Sequence, residues 1–174
     1  KITAIRNALH EKYRVPLPFE IAPSLTVLKF HAFEQSEARA LERIQKVVQQ
    51  TKPYLVELED YSGYPSHTIY INVKTRSAFN ELSKTLKLSK KHLKVPGREP
   101  HFINEPHLIL AQRLAPNEFE RMWKECEHKQ FTGRFICDHL LLLKRSQVRR
   151  RYEPIRKFEF QQLPSNLKQA ALLF

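Results

Sequence analysis

Glycine is scarce in this sequence, with three in 174 residues. Little backbone is therefore free to wrap a phosphate, and no Walker loop or G-x-G-x-x-G run is present. Any phosphate has to be held by side chains. Cysteine is equally thin: Cys126 and Cys137 form neither a metal-ligand spacing nor a convincing pair. No metal and no cofactor is expected, and a reducing, cytoplasmic setting is. HExxH and serine-nucleophile-elbow patterns are missing too. No run approaches the ~20 apolar residues of a membrane-spanning helix, and no charged-then-apolar leader opens the chain. A membrane partner is not expected.

Basic residues and an ordinary apolar content are what the chain does have. The formal charge is +12, the isoelectric point about 9.9 and the hydrophobic fraction 41%. Such an excess of cations raises the encounter rate with polyanions and points to RNA or a nucleotide as partner. The lysines at 84, 87, 90, 91 and 94 form one run without acids, and Lys144, Arg145, Arg149, Arg150 and Arg151 form another. At this length the chain is a single domain or two small lobes.

In order, Lys1 to Arg14 reads as a helix with Ile2, Ile5 and Leu9 inward. Val15 to Pro23, with three prolines, reads as an extended connector. A strand is expected from Ser24 to Phe33. A helix from Ser36, as N-cap, to Gln50 should bury Leu41, Ile44, Val47 and Val48. Tyr54 to Glu59 alternates as a strand, Tyr61 to Pro65 reads as a turn, and His67 to Val73 as the antiparallel neighbour. Thr75 to Leu88 is helical on Phe79, Leu82 and Leu86, and Val95 to Pro100 is a loop. Pro106 to Leu114 reads as a strand. Pro116 then opens a helix that buries Phe119, Met122, Trp123 and Cys126. One long strand, Phe135 to Leu143, a basic bend over 144–151, a strand from Tyr152 to Phe160 and a docked apolar tail at 170–174 complete the expectation.

Two segments echo each other. Pro106-His107-Leu108-Ile109-Leu110-Ala111 and Pro23-Ser24-Leu25-Thr26-Val27-Leu28 each place a proline ahead of a short β-rich apolar run. In strands, Ser24 and Thr26 share a face, as do His107 and Ile109, with Arg113 continuing the second. If the halves are pseudo-symmetric, the two faces look across one groove. His67 heads a further strand and is a candidate for the groove wall. Tyr64 and Tyr70 are candidates to stack on a base. The other histidines, His31, His92, His101, His128 and His139, read as surface or packing residues.

On these segments the chain resembles the two-histidine (2H) phosphoesterase superfamily, which includes 2′-5′ RNA ligase-like proteins and cyclic phosphodiesterases. Its members carry two His-x-Thr/Ser motifs within Pro-His-x-Thr strands, about 80 residues apart. Pro53 to Val73, Phe131 to Arg145 and Phe158 to Phe160 look like the family's later elements. The resemblance implies an α+β fold of two pseudo-symmetric lobes, antiparallel sheets lining a central groove with helices outside. It implies one bilobal domain over 1–174, with motifs near 23–28 and 106–111, acting as a monomer. Among catalytic positions it keeps Thr26 and His107. Ser24 stands where the first motif has histidine, and Ile109 where the second has Thr or Ser.

The resemblance further implies a phosphoesterase for 2′,3′-cyclic phosphates or 2′-5′ linkages in RNA or nucleotides. His107 would be the acid–base group, Thr26 and Ser24 would hold the phosphate, and Arg113, His67, Ile109 and Tyr70 would line the substrate site. His67 or His31 is a candidate to replace the missing histidine. Losing one acid–base partner costs about 10²–10⁴ in rate. Losing the hydroxyl at 109 removes a hydrogen bond worth about 1.5–3 kcal/mol. Attenuated turnover is therefore expected, with a non-catalytic RNA-binding module or a plain structural domain as alternatives.

Overall fold

A computed structural model describes residues 1–15, 22–145 and 152–162. Among these residues the elements run α1 (Ile2–Tyr13), β1 (Leu28–Lys29), α2 (Glu34–Val48), β2 (Tyr54–Tyr64), β3 (Thr68–Val73), α3 (Arg76–Lys87), α4 (Lys90–Leu93), β4 (His101–Phe102), β5 (His107–Gln112), α5 (Pro116–Cys126), β6 (Thr132–Cys137), β7 (His139–Lys144) and β8 (Glu153–Glu159). Every pairing between these strands is antiparallel. They form a four-stranded sheet in the order β5-β3-β2-β6 and two ribbons, β1-β4 and β7-β8.

Apolar side chains collect in two clusters. The first packs Leu9 of α1 and Phe119, Met122 and Cys126 of α5 onto one face of the large sheet, against Val56, Leu58, Ile69, Ile71, Leu108 and Leu110. The second packs α2 (Ala40, Ile44, Val47, Val48), α3 (Leu82, Leu86) and Leu93 of α4 against Phe158 and Phe160, with Leu28, Phe102, Leu140 and Leu142 alongside. A fully buried side chain such as Phe158 is worth about 1.5–3 kcal/mol relative to exposure. Helices thus cover one face of each set of strands and leave the other face open. That open face is what positions the site.

The helices follow their sequence signals closely. Pro116 occupies the first turn of α5, where its missing N–H costs nothing, and Glu118 Oε2 accepts a hydrogen bond from the Ala115 N–H at 2.7 Å. Glu125 ties α5 to α1, accepting from Lys12 Nζ at 2.7 Å and from the Tyr13 hydroxyl at 2.6 Å. Ser36 is not the N-cap of α2. The helix begins at Glu34 behind Phe33, and Ser36 Oγ donates back to the Phe33 carbonyl at 3.0 Å from inside the first turn.

Strand boundaries differ more. The expected strand from Ser24 to Phe33 contracts to Leu28–Lys29, because a strand needs a partner and β4 offers only His101 and Phe102. One further bond, Ile103 N–H to the Val27 carbonyl at 2.9 Å, extends that contact. Tyr61 to Tyr64 is not a turn but continues β2, and the chain reverses at 65–67. The long strand expected over Phe135 to Leu143 is two strands. β6 pairs with β2, and one residue later, past Asp138, β7 pairs with β8 in a different sheet. Connector residues 16–21, basic residues 146–151 and the apolar tail at 170–174 lie outside the described residues.

Candidate active site

The open face of the large sheet is set by two bulges. In β2, Glu59 pairs with Asn72 and Tyr61 with Ile71, so Asp60 is an extra residue. Its φ of 56° is left-handed, a conformation aspartate tolerates better than most residues. Phe131 pins it on both sides: Asp60 N–H donates to the Phe131 carbonyl at 2.8 Å, and Phe131 N–H donates to Asp60 Oδ1 at 2.9 Å. In β5, Ala111 pairs with Ile69 and Ile109 with Tyr70, so Leu110 is the extra residue. A bulge shifts the alternation by one. Beyond Asp60, Tyr61 and Gly63 turn to the core while Ser62 and Tyr64 turn to the open face. Beyond Leu110, Ala111 is buried with Leu110 and Gln112 takes the open face opposite Thr68.

The open face therefore gathers His107, Ile109 and Gln112 from β5, Thr68, Tyr70 and Asn72 from β3, and Tyr64 from β2. The rings of Tyr70 and His107 lie 4.8 Å apart, those of Tyr64 and His107 5.4 Å, and those of Tyr64 and Tyr70 5.0 Å. His67, in the turn, reaches the edge of this group, 6.2 Å from Tyr64. His107 Nδ1 is 3.2 Å from the Glu105 carbonyl. That places the Nδ1 proton on the backbone, and Nε2 keeps no hydrogen-bond partner among the described residues. Burial by the tyrosines pushes the His107 pKa below its ordinary value, and the charge of Lys29 pushes the same way against the opposing pull of Glu105. A partly buried imidazole, neutral at pH 7 and held by one nitrogen, is equipped to take a proton at the other.

Lys29 also shows how the first motif relates to the second. It belongs to β1, three residues past Thr26, and its neighbour Leu28 is turned into the second cluster with Phe102. Lys29 and its register partner His101 are consequently on the opposite side of that ribbon, and the field of Lys29 is felt at His107. Ser24 is exposed and Thr26 half-buried, in an unpaired extended segment. Neither makes a side-chain hydrogen bond among the described residues. Within this segment Leu25 packs on the first cluster and Val27 on the second.

Of the residues read from sequence, then, the structure brings together His107, Ile109 and Tyr70, with His67 at their edge. Arg113 is a correction. The bulge at Leu110 takes it off the face of His107, β5 ends at Gln112, and Arg113 is exposed with a φ of 60°. His31 contacts Arg98 Nη1 at 3.2 Å. Asn72, directly opposite His107 in the register, was missed although its period-2 spacing from Tyr70 signals it. Lys29, Gln112 and His101 were missed because their placement depends on a two-residue pairing and a bulge. No cluster of three metal-ligating side chains occurs among the described residues, and no described helix is long and apolar enough to cross a membrane.

The family model of the 2′-5′ RNA ligase superfamily matches residues 2–149. The chain belongs to this superfamily, that of the 2H phosphoesterases. It is 27% identical over 141 residues to an Oceanobacillus iheyensis protein named "Putative phosphoesterase OB1230", covering 79% of each chain. Among solved structures it superposes on TT0787 of Thermus thermophilus with a TM-score of 0.50 at 16% identity, over 91% of this chain and 93% of that one. That likeness concerns the fold, a mixed α/β arrangement with antiparallel strands and helices packed on them.

Proposed function

We propose that this 2H phosphoesterase-family chain acts on 2′,3′-cyclic phosphate or 2′-5′ phosphodiester bonds of RNA or nucleotides, with turnover attenuated by Ser24. The observation that carries the reading is His107: it lies in the second family motif, on an open sheet face, with Nε2 unengaged among the described residues. In hydrolysis, neutral Nε2 accepts a proton from water as the water oxygen bonds to phosphorus and one ribose oxygen leaves. A histidine at position 24 would protonate that leaving oxygen. Serine does not titrate near neutral pH, so the proton must come from solvent. Thr26 and Ser24 supply hydroxyls for the phosphate, and Tyr64 and Tyr70 supply ring surface for a base. The two apolar clusters are read as the two lobes of one domain, with the site between their open sides.

A second reading is favoured by the same Ser24: a module that binds RNA or nucleotide without turnover. Hydrolysis of 2′,3′-cyclic nucleotides by wild type, His107→Ala and Ser24→His separates the two. The phosphoesterase reading expects slow turnover that His107→Ala abolishes and Ser24→His raises by about 10²–10⁴. Binding that persists with no turnover in any of the three supports the second reading. Equal residual rates in wild type and His107→Ala remove His107 from the mechanism.

A further inference from the structure

The helices of the second cluster carry, on their outward side, a row of cations that the sheet site does not use. Leu82, Ser83 and Leu86 of α3 and Leu93 of α4 are buried, so Lys84, Lys87 and Lys91 are turned outward, and all three are exposed. Between 84 and 94 there are five lysines and one histidine, and no acid. Glu99 engages only one edge of the row, pairing with Lys94 and with Lys90 at 3.5 Å. Lys84, Lys87 and Lys91 have no ion-pair partner among the described residues. A shallow depression is lined by Lys87, Leu88 and Lys91 with the Glu99 group.

α2 extends the positive field. Loss of solvation is the main cause of a lowered His92 pKa, and the charges of Arg43, Lys91 and Arg39 push the same way. Arg43 Nε is buried with no hydrogen-bond partner. Lys84 and Lys87 sit on α3 and Lys91 on α4, with Leu88 and Ser89 between the two helices. A single small anion needs converging donors, whereas cations spread along successive elements suit successive phosphates. No Phe, Tyr or Trp lies between 84 and 94, so there is nothing for a base to stack on and the contact would be to backbone alone. A lipid surface fits less well. Interfacial helices bury an apolar face in the bilayer, but the apolar face of α3 is already buried against the strands, leaving Leu88 alone outside.

We propose that the row formed by Lys84, Lys87 and Lys91, with Arg39 and Arg43 beside it, binds the phosphodiester backbone of single-stranded RNA at a second site, separate from the His107 face. The choice of RNA among polyanions rests on the function proposed above; the existence of the site does not. It anchors a strand without reading its sequence, and a mononucleotide is too short to use it.

The test is fluorescence anisotropy of a labelled single-stranded oligoribonucleotide over a series of KCl concentrations. Lys87→Ala/Lys91→Ala is compared with Lys52→Ala/Lys124→Ala, which removes the same charge from exposed positions elsewhere. Matched thermal unfolding midpoints establish that both variants fold. The first variant is expected to flatten the log–log salt slope by about 0.7 for each phosphate no longer neutralised, roughly 1.4 in all, and to weaken binding at low salt at least tenfold. The control pair is expected to do neither. Equal effects in the two variants, or none, overturn the site. Loss of binding to phosphatidylserine vesicles with RNA binding intact overturns it in favour of a lipid surface. Cyclic mononucleotide hydrolysis is expected to be equal in both variants. Its absence even in wild type sinks the phosphoesterase reading and leaves the anisotropy result standing.

Discussion

Tyr54 and Cys137 face each other across the β2–β6 pairing, and each side chain packs on both hydrophobic clusters. The Tyr54 ring also stacks on Phe160 at 6.2 Å. Burial raises the pKa of both the Tyr54 phenol and the Cys137 thiol, so each stays protonated near neutral pH. The joint between the clusters is therefore built from uncharged side chains that belong to both.

Coupling across this joint is measurable. Ile71→Ala and Leu86→Ala lie in different clusters, so their destabilisations are expected to add within about 0.5 kcal/mol. Tyr54→Ala and Phe160→Ala share the stacked contact and are expected to depart from additivity by about 0.5–3 kcal/mol. Urea unfolding of the singles and doubles gives both cycles.

On the mechanism proposed above, the acidic limb of kcat/KM reports His107. Its neutral form is the one that accepts a proton, and burial holds its pKa below 6.5. The limb is therefore expected to inflect below pH 6.5. Lys29→Ala removes one of the depressing influences, so the inflection moves upward. An unchanged inflection in Lys29→Ala would place Lys29 too far away to matter.

At Asp60 the backbone is left-handed and the carboxylate accepts the Phe131 N–H. Asp60→Ala loses the acceptor, at about 1–3 kcal/mol, and also meets the left-handed penalty of about 1–2 kcal/mol. Asp60→Gly loses only the acceptor. The alanine variant is expected to be the less stable of the two in thermal or urea unfolding. It is also expected to weaken nucleotide binding, because the same bulge turns Tyr64 toward His107.

Acid stability carries the signature of Glu125. Hydrogen bonds from Lys12, Lys129 and Tyr13 hold its pKa down to about 2, from 4.5. A depressed carboxylate stabilises the fold above pH 4.5 and loses that contribution as the pH falls toward 2. Since both lysine partners are more than half exposed, the contribution is about 1 kcal/mol. Glu125→Gln is expected to flatten stability against pH across that window, and an identical acid profile would show that the pair network is worth nothing.

Helix positions were legible because their signals are local. Phe79, Leu82 and Leu86 mark α3 by spacing alone, and Pro116 marks the start of α5. His107 and Tyr70 were legible as well, since each sits in a short β-rich run with a clear alternation. What escaped depends on partners distant in sequence. Straight alternation from His107 leads to Arg113, and only the pairing of Ala111 with Ile69 reveals that Leu110 is extra. The Ser24 segment has strand-like composition, yet a ladder exists only where β4 stands beside it. Nothing in Phe135 to Leu143 announces that its two ends serve different sheets.

That last feature makes the frame of the chain unforgiving at one point. Asp138 alone separates β6 from β7, so there is no slack to absorb an added residue. Inserting one after Asp138 would invert β7, carrying Leu140 and Leu142 into solvent and His139 and Leu141 inward. Length variation tolerated in surface loops is expected to be forbidden here, where a single residue keeps strands of two different sheets in phase.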